Sequence, residues 1–178
     1  MNMFTRFGQI FWGLLLVILD FKINHIDILP DFVGYILIAI GCRGLVIASP
    51  QFSTASMMSW ILVALAFVGF ALRGDAASLF RIVDLAAHCA MIWFLLGGVM
   101  ELATARQRPD LSDRASKRRI AYLALMCLLT LTGFVAEGSR DAATFMAVAG
   151  IVCILLLLVL ILHLIHRARH ELTNDHAA

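Results

Sequence analysis

Residues 142–166 read AATFMAVAGIVCILLLLVLILHLIH, without a single Asp, Glu, Lys or Arg. A bilayer core ~30 Å thick is crossed by ~20 mostly apolar helical residues, because hydrocarbon offers no partner to open backbone groups. This run has that length and is read as a membrane span. Outward from it, five further runs of the same kind appear: Phe4 to Ile23, Asp31 to Ala48, Phe52 to Leu72, Ile82 to Thr104 and Ile120 to Ala136. Ala142 to His166 is the sixth. The expected fold is an all-α polytopic transmembrane bundle in one domain.

Composition agrees. The 178 residues are 62% apolar and 15% charged, where soluble domains run ~45–50% and ~25%. No soluble surface hides that much apolar side chain. A soluble enzyme, a disordered chain and a secreted disulfide scaffold are all excluded. A net charge of +2 gives no basis for nucleic-acid binding. Cys42, Cys89, Cys127 and Cys153 each lie in apolar runs without ligand spacing and are read as packing residues.

All three prolines, Pro30, Pro50 and Pro109, fall between spans, where a missing N–H costs little. Ser53 or Thr54, Asp75 and Asp141 are the expected caps of the third, fourth and sixth helices. In the first run Arg6 precedes an apolar stretch, but no small-residue cleavage site follows it, so a retained span is expected. Ten of the 14 Lys and Arg residues sit at the termini or in the second and fourth connections. Both termini are therefore expected in the cytoplasm, with Arg106 to Arg119 a basic loop against anionic headgroups.

The stretch Ile26 to Leu45 carries the most local information. Asp27 is the expected cap, Pro30 suits a first helical turn, and Asp31 faces the positive helix end. Gly34 and Gly41 fall on one stripe, where another helix backbone can approach closely. Residues 26–35 resemble the IDILPDF-x-GY signature of uncharacterised small bacterial integral membrane proteins. That resemblance implies a multi-span protein of a bacterial inner membrane and carries no activity with it.

Ionisable groups near membrane depth are costly and so are the first candidates for function. Asp20, His25, Asp27 and Asp31 flank the first connection, while Arg81, Asp84 and His88 share one face at the start of the fourth span. Converging, they suit a divalent cation or a proton relay; capping and interfacial pairing explain most of them equally well. Arg43 and Glu101 lie at similar depth near the other side. They form a candidate ion pair, or each snorkels separately to the headgroups. His163, His166 and His170 share a face of the last helix and are read as interfacial.

No phosphate loop, GxSxG or HExxH occurs, and no cofactor is implied. Three readings follow. The first is a non-catalytic accessory or assembly protein, working through the bilayer, a membrane-protein partner or a homodimer built on Gly34 and Gly41. The second is a small ion or solute permease using the Asp/His cluster. The third is an intramembrane metal enzyme on Asp27, Asp31, Asp84 and His88.

Overall fold

A computed structural model describes residues 2–19, 22–23, 26–27, 31–71, 76–135 and 140–172. Among them are six helices: α1 (Met3–Leu19), α2 (Asp31–Arg43), α3 (Gln51–Ala71), α4 (Ala76–Ala105), α5 (Pro109–Val135) and α6 (Arg140–Glu171). Between α1 and α2 lies a minimal antiparallel pair, β1 (Lys22–Ile23) and β2 (Ile26–Asp27), with Lys22 opposite Asp27. Three helices, α3, α4 and α6, are long and apolar enough to cross a membrane.

Each helix packs on the next in sequence, and α6 returns to α1, closing a ring. The return is visible in side chains. Arg169 stacks on the Phe4 ring at 3.7 Å, and His170 meets the same ring edge-on at 5.6 Å. The two chain ends therefore share one end of the bundle, here called the termini end. Phe7, Ile10, Ile38, Phe52, Met91, Leu95, Leu96, Ile165 and Ala168 are fully buried and fill that half. Along α5 and α6 the outward side stays apolar and exposed, as at Leu128, Leu131, Ile151, Leu156 and Val159. A water-facing surface that apolar would aggregate; a lipid-facing one is at rest.

A close backbone-to-backbone contact joins α1 to α2. A Cβ on Gly34 would stand 2.7 Å from the Gly13 carbonyl oxygen, and one on Gly41 2.9 Å from that of Arg6. Both distances are too short for a real Cβ, so glycine is what lets these backbones touch. The expected close-packing stripe is thus covered by α1 of the same chain. A homodimer built on this stripe would require the α1 contact to give way.

Several expected boundaries shift, each for a local reason. The second run ends its helix at Arg43 rather than Ala48. The Arg6 guanidinium lies against Gly44 and donates to the Ile40 carbonyl at 3.3 Å, as basic groups do at a helix C-terminus. Turn bonds such as Leu45 N–H to Cys42 O at 2.9 Å then lead to Pro50. Ser49, not Ser53 or Thr54, caps α3, since its Oγ accepts from the Gln51 N–H at 3.2 Å. Serine followed by proline at the first helical position is a favoured entry. Asp27 lies in β2 and Asp141 inside α6, so neither is a helix cap. Asp75 falls outside the described residues.

The expected basic loop is mostly helix, because α5 begins at Pro109. The connection shrinks to Arg106–Arg108. Here the Arg108 N–H bonds to Ala103 O at 2.9 Å and the Gln107 N–H to Thr104 O at 3.0 Å. Gln107 takes a left-handed φ of 55°. This is a Schellman close on α4, followed at once by a proline that starts α5. Beyond the apolar run, Asp113 and Lys117 pair at 2.6 Å across one turn and support the polar part of the helix.

Candidate functional site

Two polar groupings lie along α4, one in each half of the bundle. The first is toward the end away from the termini. One turn separates Asp31 from Tyr35 on α2, and one turn separates Asp84 from His88 on α4, so each carboxylate sits above an aromatic polar group. Tyr35 Oη and His88 Nδ1 are 3.1 Å apart. The phenol donates when the imidazole proton is on Nε2 and accepts in the other tautomer. The Tyr35 ring stands edge-on to His88 at 5.9 Å, and the Tyr122 ring of α5 lies at 6.3 Å, tilted by 32°. Three helices are thus joined across the ring by one imidazole. Tyr122 is 1% exposed, and its hydroxyl is enclosed with no hydrogen-bond partner among the described residues. Asp31 and Asp84 are half-buried.

Of the expected cluster, the structure brings Asp31, Asp84 and His88 to this end of the bundle. Asp20, His25 and Pro30 lie outside the described residues, as do the side chains of Asp27 and Arg81. Among the described residues no group of three or more His, Cys, Asp or Glu side chains stands close enough to hold a metal ion. Tyr122 was not singled out from sequence. Its signal was available: it is one of 2 tyrosines, and it lies in an apolar run where a phenol needs a partner.

The second grouping is at the termini end and centres on Glu101. The Ser49 hydroxyl donates to Glu101 Oε2 at 2.5 Å, and Gln51 Nε2 donates to Oε1 at 3.0 Å. The same Ser49 caps α3, so one side chain both starts a helix and fastens it to α4. On the other side of α4, the Arg119 guanidinium lies 3.4 Å from the Trp93 ring centroid. Burial lowers the Arg119 pKa, and the Glu101 carboxylate opposes that shift. Between these residues is Gly97, where a Cβ would sit 3.2 Å from Gln51 Oε1 and 3.3 Å from Arg119 Nη1. The bare backbone gives two long polar side chains room to cross α4. Gln51 Oε1 and Arg119 Nε are enclosed without a partner among the described residues.

The structure does not pair Arg43 with Glu101, one of the two alternatives the sequence left open. Glu101 has neutral donors on the α2–α3 connection, and Arg43 points outward, exposed, into a groove with Val46, Ser53, Met57 and Trp60. Reaching Glu101 is unnecessary for Arg43 when its long stem can carry the charge to the headgroups. Two of the last-helix histidines pack against α1, His166 on Phe11 at 5.7 Å and His170 on Phe4, with 4.8 Å between the two imidazoles, while His163 is exposed.

Other basic residues at this end join α4 and α5 to α6. Arg106 donates to Leu172 O at 3.0 Å and Arg167 to Asp110 at 3.0 Å, while Arg118 reaches Leu160 O. They tie the α4–α5 hairpin to α6. Comparison with known protein families, curated proteins and solved structures gave no match to this chain.

Proposed function

We propose that this chain is a six-span protein of a bacterial inner membrane, with both termini cytoplasmic. In this reading it acts without catalysis of its own, as an accessory or assembly protein working through protein or lipid contacts. The carrying observation is the filled interior. Met91, Ile92, Leu95, Leu96 and Val99 of α4 are all 0% exposed, an apolar plug across the termini half of the ring. The polar groups are spent on joining helices, Glu101 to the α3 cap and His88 to α2. The Lys and Arg distribution supports the orientation. The resemblance over residues 26–35 supports the bacterial setting.

A permease is the second reading, favoured by the enclosed and unpartnered Tyr122 hydroxyl beside His88. A buried polar atom without a partner costs ~1–3 kcal/mol, and a proton path or a passing polar solute would give it one. Proteoliposomes carrying pH- and ion-sensitive dyes separate the two. The accessory reading expects flux no greater than in empty vesicles. A flux lost in His88→Phe would overturn it in favour of the permease.

A further inference from the structure

Along the α4–α5 hairpin, beside its turn, runs a groove of about 370 Å³. Its mouth is the Schellman turn, with Gln107 and the exposed Arg108. Its walls are Thr104 of α4 and Ser112 and Ser116 of α5, one turn apart. Its floor at the deep end is Met100. We propose that this groove holds an anionic phospholipid of the leaflet at the termini end, with the phosphate on Arg108.

The chemistry of the groove is graded along its length. At the mouth stand a guanidinium and an amide, both donors suited to phosphate oxygens. Thr104 donates to Met100 O at 2.9 Å, so across the 3.0 Å gap to Ser112 it is Ser112 that donates. Those two hydroxyls are therefore occupied, while Ser116 lies one turn deeper. Asp113, which also borders the groove, would repel an anion. Its carboxylate is held by Lys117 at 2.6 Å, which offsets that charge.

Below Ser116 the same stripe of α5 turns apolar. Ile120, one turn on from Ser116, is 59% exposed, and Leu131 continues that face at 63%. A polar head with an acyl tail matches that gradient. A free phosphate ion would use only the upper end. Arg108 is the cation among the residues that line the groove, while Arg106, Arg118 and Arg167 are taken up by contacts with α6 and Asp110. The proposal rests on the membrane reading above, and resistance of the wild-type chain to alkaline carbonate extraction checks that separately.

The full chain is purified in mild detergent and loaded with phosphatidylglycerol or phosphatidylcholine, and retained lipid is read by native mass spectrometry. Wild type is expected to retain phosphatidylglycerol preferentially. Arg108→Glu is expected to weaken that retention roughly tenfold, since it replaces an attraction with a repulsion near a headgroup. Arg114→Glu, an equal charge change outside the groove, is expected to leave retention close to wild type. Equal retention of the two lipids by wild type overturns the proposal, as does equal loss in both variants. Displacement of bound phosphatidylglycerol by inorganic phosphate alone would overturn the choice of a lipid occupant.

Discussion

Tyr35 of α2 and His88 of α4 share a hydrogen bond of 3.1 Å between helices that are not neighbours in sequence. It spans the ring at the height where Tyr122 closes from α5. In an apolar surrounding, losing one partner leaves the other without compensation, and bonds of this kind contribute ~0.5–2 kcal/mol in membrane bundles. Tyr35→Phe and His88→Phe are each expected to lower the unfolding midpoint in detergent. The double variant is expected to lose less than the sum, with a coupling of ~1 kcal/mol. Strict additivity in that cycle would mean the bond does not operate.

Gly34→Leu is expected to destabilise the bundle by at least ~1–3 kcal/mol, because the side chain has no space against Gly13 and Val17. The contact is within one chain, so the oligomeric state at fixed protein concentration should not change. Light scattering in detergent checks this. A change in subunit number with unchanged stability would place the stripe at an interface between copies instead.

Glu101 answers to Ser49 and Gln51, so exchanging charges with Arg43 should achieve nothing. Arg43→Glu combined with Glu101→Arg is expected to express as poorly as Glu101→Arg alone. Ser49→Ala removes both a cap and a donor to a carboxylate, at a cost of ~1–3 kcal/mol. Restored expression in the exchanged pair would reinstate the ion pair.

These cases show what was readable in the residues. Gly34 and Gly41 announced a close approach through their spacing, but the spacing does not name the helix that approaches. Hydropathy located the apolar part of α5 and missed its first three turns, because a helix that leaves the apolar layer continues with charged residues paired like Asp113 and Lys117. The Ser49-Pro50-Gln51 entry was visible as a cap followed by proline, yet Ser53 and Thr54 competed for the same role. Tyr122 and Arg119 became part of the groupings only through the α4–α5 hairpin, which sets α5 beside α4 in a register no local pattern records.

Gln107 holds a left-handed φ of 55°, a conformation that costs a side-chain-bearing residue ~1 kcal/mol relative to glycine. Gln107→Gly is expected to stabilise the α4–α5 hairpin and raise the thermal midpoint in detergent by a few degrees. A lowered midpoint would show that the Gln107 side chain contributes more than the turn geometry costs.

The proposed topology is a six-span ring with both ends of the chain in the cytoplasm. Reporter fusions in a bacterial host test it most directly, at the N-terminus, after Gln107, after Gly138 and at the C-terminus. Fluorescent, phosphatase-silent fusions are expected at both termini and after Gln107, with phosphatase activity after Gly138. Phosphatase activity at either terminus would contradict it.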